Sequence, residues 1–160
     1  MKRNFLSKII CTALGLGLTP RAPGTFGALG GLAIGFAILQ AAINPNFVLS
    51  VLIILFFFIG VYCSGKLIPE WGKDPPRVVI DEVVGMWISM LFLPNNIILL
   101  LSTFLTFRFF DILKPGLIRE AEKIKGGWGI MVDDVVAGVF TNAAMHFYIF
   151  IKYCMTLIRE

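Results

Sequence analysis

Five apolar runs divide the chain, separated by polar, proline-rich or asparagine-rich breaks. Residues 26–43, 47–64, 78–93, 97–110 and 135–151 each read as a helix embedded in a membrane. A full crossing takes about 20 apolar residues, so the third and fourth runs are expected to be short or re-entrant. In the first run Gly27, Gly31 and Gly35 recur at intervals that share one helical face, where small residues let helices approach closely in lipid. Gly60 and Ser64 give the second run a smaller contact of the same kind. Residues 114–125 differ. Leu117, Ile118, Ala121 and Ile124 fall at helical spacing among charged residues, with Pro115 before them and Gly126-Gly127 after. That pattern predicts an amphipathic helix lying on the membrane surface. Residues 66–77, with three prolines, read as a polar connection, and Gly126-Gly127-Trp128-Gly129 as a turn into the last helix.

Composition agrees: 58% of the 160 residues are hydrophobic, 15% are charged, and mean hydropathy is +0.86. Soluble domains carry about 25% charged residues. The expected fold is all-α, a polytopic membrane bundle of about five membrane-embedded helices plus the interfacial one, with residues 1–160 forming one membrane-embedded domain. Lys2, Arg3 and Lys8 precede a short apolar run that resembles a secretory signal, but no small-residue cleavage pattern follows, so a retained cytoplasmic segment is expected. Cys11, Cys63 and Cys154 show neither metal spacing nor a disulfide framework and are assigned packing. His146, the one histidine, is expected to pack inside the bundle.

Charge placement sets an orientation. With the N-terminus cytoplasmic, five spans put every Lys and Arg except Lys152 and Arg159 on the inside. The same arrangement collects the unusual polar residues at the cytoplasmic interface. Asp81 and Glu82 open the third run, Arg108 and Asp111 close the fourth, and Asp133 and Asp134 lead into the fifth. Carboxylates at a membrane boundary mark function more often than decoration. Five of them in a small volume raise one another's pKa and call for cations; hard oxygen donors suit Mg²⁺, or Mn²⁺ in its place. Arg108, Asp111 and Lys114 share a helical face, and cations beside a metal-binding carboxylate cluster describe a phosphate site. Arg21 and the N–H groups around Gly24 and Thr25 are further phosphate-binding candidates. Down the fifth run, Asp134, Gly138 and Asn142 align on one face and Asp133, Ala137 and Thr141 on its neighbour, and this side is expected to look into the bundle.

The chemistry expected from these residues is metal-assisted reaction at a bound phosphate, with Asp81, Asp111, Asp133 and Asp134 as catalytic candidates. The metal would rest on Asp133, Asp134 and either Asp81 or Asp111. Water or a carboxylate would attack phosphorus, since no Ser–His or Cys-x₅-Arg arrangement offers another nucleophile. A cation or proton-coupled transporter is the first alternative, but it predicts acids near the bilayer midplane and an internal repeat. A lipid-headgroup transferase is the second, and the alternating Asp pattern of the CDP-alcohol enzymes is absent.

Three blocks of the chain resemble the bacterial phosphatidylglycerophosphatase A family. They are Gly15-Leu-Gly-Leu-Thr-Pro-Arg-Ala-Pro-Gly-Thr25, Asp81-Glu-Val-Val-Gly-Met-Trp87, and Phe107-Arg-Phe-Phe-Asp-Ile-Leu-Lys-Pro115 followed by residues 126–138. The resemblance implies a Mg²⁺-dependent, multi-pass inner-membrane enzyme with its active site on the cytoplasmic side. Such an enzyme removes the terminal phosphate of phosphatidylglycerophosphate and leaves phosphatidylglycerol. It further implies that Asp81, Glu82, Asp111, Asp133 and Asp134 form the acidic metal site, with Arg108, Lys114 and Thr25 on its phosphate side. The implied partners are a phospholipid substrate and membrane lipid, with no nucleic acid.

Overall fold

The computed structural model describes residues 4–73 and 75–159; Lys2 and Arg3 of the basic N-terminal segment lie outside them. Among the described residues there are helices and no strands: α1 (Phe5–Cys11), a 3-10 turn (Leu16–Leu18), α2 (Pro23–Ala41), α3 (Pro45–Trp71), α4 (Ile80–Met90), α5 (Ile97–Leu113), α6 (Leu117–Glu122) and α7 (Gly127–Leu157). The all-α expectation holds. The expectation of five membrane-embedded helices does not: among the described residues three helices, α2, α3 and α7, are long and apolar enough to cross a membrane. At 1.5 Å per residue the 11 residues of α4 reach only about 16 Å, roughly half a hydrocarbon core.

α4 is instead the packing centre. Every residue of it except Glu82 is buried. The glycine face of α2 closes against it: a Cβ at Gly27 would stand 2.6 Å from Val79 Cβ, one at Gly31 3.0 Å from Val83 Cα, and one at Gly35 2.9 Å from Met90 Sδ. The indole of Trp87 donates from Nε1 to the Gly31 carbonyl at 2.9 Å, which satisfies a buried N–H across the same seam. On the opposite side a Cβ at Gly85 would lie 2.7 Å from the Asp134 carbonyl, and one at Gly138 2.5 Å from the Gly85 carbonyl. α4 and α7 therefore meet backbone to backbone. Asn142 of α7 donates to the carbonyls of Ser89 and Leu91 (3.2 and 2.8 Å), capping the carbonyl end of α4. Asp133, Asp134, Ala137, Gly138 and Thr141 are all buried, so the inward side of α7 is the one read from the pattern.

Several boundaries differ from the sequence reading. α3 continues through Lys66–Trp71 with Pro69 inside it, so half of the expected polar connection is helix. The glycines before Asp133 form the first turn of α7 rather than a separate turn. Gly127 has to be glycine there, because a Cβ would run into the Val61 carbonyl of α3. The amphipathic helix shrinks to the six residues of α6, with Ile118 and Ala121 buried and Leu117 exposed. Pro115 and Lys114, the latter left-handed at φ 44°, belong to the turn before it. His146 is exposed on α7, its Nδ1 3.0 Å from the Asn142 carbonyl of its own helix, and does not pack inside the bundle. Cys11 and Cys63 are buried in the core as expected, and burial pushes the Cys11 thiol up to about 12.

The bundle has two distinct ends. At one, Asn46 Oδ1 accepts from the Phe92 N–H (2.9 Å), joining the α2–α3 turn to the α4–α5 turn. At the other lie the starts of α2, α4 and α7 and the end of α5, and with them Asp81, Glu82, Arg108, Asp111, Asp133 and Asp134.

Candidate active site

The first turn of α4 supplies Asp81 and Glu82, and the second turn of α7 supplies Asp133 and Asp134. The close backbone contact at Gly85 and Gly138 brings these two helices together. One carboxylate oxygen from each of Asp81, Glu82 and Asp134 lies within 4.8 Å of the other two. Asp134 is 3% exposed, Asp81 9%. Asp81 Oδ1 also accepts the Glu82 N–H at 3.0 Å, which fixes its orientation at the helix start. Three carboxylates at this spacing cannot all be ionised without a cation between them.

α5 brings the cations. Arg108 pairs with Asp111 one turn on, and the charge of Asp111 in turn faces Glu82 and Asp134. Lys114 ends α5 in a left-handed conformation that costs a non-glycine residue about 1–2 kcal/mol. That turn aims its ammonium away from the α5 axis toward α7. Lys114 Nζ donates to Asp133 Oδ2 at 2.8 Å and lies 3.2 Å from Glu122 Oε1. Burial alone would pull the ammonium's pKa down. The hydrogen bonds and charges of Asp133 and Glu122 outweigh it and hold the pKa above the ordinary lysine value.

The first turn of α2 arrives at the same place. A Cβ at Gly24 would collide with Glu82 Oε1 and lie 3.2 Å from Arg108 Nη1. Glycine lets this backbone pass near a carboxylate and a guanidinium with neither side chain displaced. The Thr25 N–H already donates to the Ala22 carbonyl at 3.0 Å, so of this residue's polar groups its hydroxyl is the one left for a ligand. Arg21 is exposed on the approach and makes no ion pair among the described residues.

The five predicted carboxylates thus divide. Asp81, Glu82 and Asp134 converge as a set that could hold a metal ion, while Asp111 and Asp133 are each tied to a cation. Three buried atoms have no partner among the described residues: Glu82 Oε2, Asp133 Oδ1 and Arg108 Nε. Two are acceptors wanting a cation or a donor, and one is a donor wanting an anion. Hard oxygen donors of this kind fit a divalent cation such as Mg²⁺. The arrangement suits a phosphate group carried between a metal and a guanidinium. Glu122 was not foreseen as part of the site, because its place among the charges of residues 114–125 reads as solvated surface.

The model of the phosphatidylglycerophosphatase A family matches residues 9–149. The chain belongs to that family. Two relatives named phosphatidylglycerophosphatase A are 37% identical over 142 residues (Escherichia coli) and 38% identical over 135 residues (Haemophilus influenzae). The first alignment covers 87% of this chain and 81% of the relative, the second 82% of each. A relative from Bacteroides thetaiotaomicron, named a putative phosphatidylinositol-3-phosphatase, is 44% identical over 147 residues, or 88% of this chain and 92% of its own. No solved structure matches the chain. Every carboxylate and cation described above lies inside the span matched by the phosphatidylglycerophosphatase A model.

Proposed function

We propose that the protein is a phosphatidylglycerophosphatase that hydrolyses the terminal phosphomonoester of phosphatidylglycerophosphate, giving phosphatidylglycerol and phosphate. The carrying observation is the convergence of Asp81, Glu82 and Asp134 beside Arg108 and Lys114 at one end of an apolar bundle. The lipid tails remain in the bilayer while the headgroup reaches this end. The basic residues near it favour the cytoplasmic face of the bacterial inner membrane. With α4 and α5 as a hairpin entering and leaving at the site end, the three crossings of α2, α3 and α7 keep the N-terminus inside and the C-terminus outside.

Asp81, Glu82 and Asp134 would hold Mg²⁺, and Asp111 and Asp133 would complete the acidic shell from their ion pairs. When bound, the metal neutralises phosphate charge and makes phosphorus easier to attack. Arg108 offers Nε and its remaining N–H groups to the phosphate oxygens, held by Asp111. Lys114, held by Asp133, stabilises charge as it develops on those oxygens. The Thr25 hydroxyl and the Gly24 backbone close the phosphate side, and Arg21 guides the anion on approach. A carboxylate of the set directs water at phosphorus, or attacks it directly.

The test is phosphate release from phosphatidylglycerophosphate in detergent micelles, with Mg²⁺ and then with EDTA. Release that stops with EDTA and returns with Mg²⁺ supports the reading. No release from folded protein under either condition refutes it. The Bacteroides relative's name favours a second reading, hydrolysis of a phosphorylated phosphatidylinositol. Phosphatidylinositol 3-phosphate in the same assay decides it: faster turnover there than on phosphatidylglycerophosphate would transfer the assignment.

A further inference from the structure

We propose that the cleft beside the carboxylate cluster is a second anion subsite, which takes the phosphodiester of the lipid headgroup while the cluster takes the monoester. This rests on the lipid-phosphatase reading above. The cleft, of about 250 Å³, lies between the chain just past α3, α6 and the first turns of α7. Lys73, Arg119 and Lys123 line it, with Glu122 and Asp133. The two carboxylates both direct their charge at Lys114, and Lys123 is paired with Glu120. Lys73 and Arg119 have no ion-pair partner among the described residues. The lining sets three cations against two carboxylates that also share Lys114, and the positive balance favours an anion there.

Asp133 links the cleft to the cluster. Its Oδ2 receives Lys114, and its Oδ1 is buried with no donor. A buried carboxylate oxygen without a donor is costly unless a ligand supplies one. A lipid headgroup with a phosphodiester at one end and a phosphomonoester at the other carries hydroxyl groups between them. Asp133 lines the cleft, and its Oδ1 is the acceptor this proposal assigns to such a hydroxyl. Glycerol and inositol headgroups share this chemistry, whereas phosphatidic acid has the monoester without the diester. Lys73 and Arg119 are thus specificity residues: they select headgroups by their second charge and do not touch the reacting phosphate.

The experiment measures kcat and KM for phosphatidylglycerophosphate and for phosphatidic acid, in wild type, Lys73→Gln/Arg119→Gln and Lys73→Arg/Arg119→Lys. The expected result is a roughly tenfold rise in KM for phosphatidylglycerophosphate in the Gln double variant, with kcat nearly unchanged. Hydrolysis of phosphatidic acid, however slow, should not change, and the charge-conserving pair should restore KM. An unchanged KM for phosphatidylglycerophosphate, an equal loss on both lipids, or no restoration by the charge-conserving pair would overturn the subsite. Wild type that releases no phosphate from either lipid refutes the phosphatase reading instead, and the two failures are thereby distinct.

Discussion

α3 and α4 pack against one another and are built on opposite terms. α3 has 27 residues, is long and apolar enough to cross a membrane, and leaves Val51, Ile54, Leu55, Phe58 and Tyr62 exposed. α4 has 11 residues, two of them acidic, and leaves only Glu82 unburied. Apolarity along a helix here goes with outward-facing surface, not centrality. A helix in contact with lipid must be apolar on its outer face but can be loosely specified in shape, since hydrocarbon adapts to it. A helix surrounded by protein must fit its neighbours, and it can carry carboxylates because other side chains and a bound cation satisfy them. Part of the chemistry therefore sits on a helix too short for hydropathy to mark as a crossing.

The sharpest way to break this contrast is at the cluster. Asp134→Asn should lower phosphate release at least about 10³-fold while the protein still inserts in the membrane, because one carboxylate of the set that could hold a metal is lost with almost no change in shape. An Asn variant with near-normal turnover would remove Asp134 from the site. Packing comes next. Gly85→Val would push a side chain against the Asp134 carbonyl and the Phe107 ring (2.7 and 2.8 Å from the Cβ alone). A loss of about 1–3 kcal/mol is expected, read as a lower Tm in detergent. Gly65→Ala on α3, whose Cβ would meet nothing nearer than 3.6 Å, should leave Tm unchanged or slightly higher. Equal shifts for the two would erase the distinction between the helices.

The ion pair at the end of α5 gives a smaller effect. Lys114→Met should cut turnover by about 10–100-fold and destabilise by roughly 1 kcal/mol, a modest figure because the lysine is partly exposed to screening solvent. Adding Asp133→Asn should recover part of the stability, since no buried charge then lacks its partner. The raised pKa of Lys114 fixes the sign with pH. Its stabilisation is complete below the ordinary lysine value and fades only as pH climbs through the higher folded value. The Tm difference between wild type and Lys114→Met should accordingly stay constant between about pH 7 and 9. The smallest effect is on the outer face of α3. Leu55→Ala, at a residue 50% exposed, should change stability by less than about 0.5 kcal/mol and leave turnover intact. A large activity loss there would mean that α3 does more than line the lipid.

Much of this was legible in the sequence. The glycine interval from Gly27 to Gly35 and the inward side of α7 follow from helical periodicity, which is local, and both sit where the pattern put them. The charged ends of four separate runs could be assigned to one end of the bundle from membrane orientation alone. The lengths of the elements were less legible. α3 carries its helix through Pro69, and α7 starts at glycines that resemble a turn, where the close approach of Gly127 to Val61 holds what local propensity disfavours. The six-residue α6 fell short of its amphipathic pattern because Lys114 and Pro115 were taken up by the turn that aims the ammonium at Asp133.

By itself, the sequence determined an all-helical membrane protein with acids and cations at the ends of its apolar runs, because hydropathy and helical spacing are properties of neighbours along the chain. Only the tertiary structure decided that Asp81 and Glu82 converge with Asp134 while Asp133 goes to Lys114. The same packing decided that short α4 lies at the centre, and that Lys73 and Arg119 share a cleft with Asp133. These are relations between residues tens of positions apart, and they depend on how closely glycine faces let two helices approach.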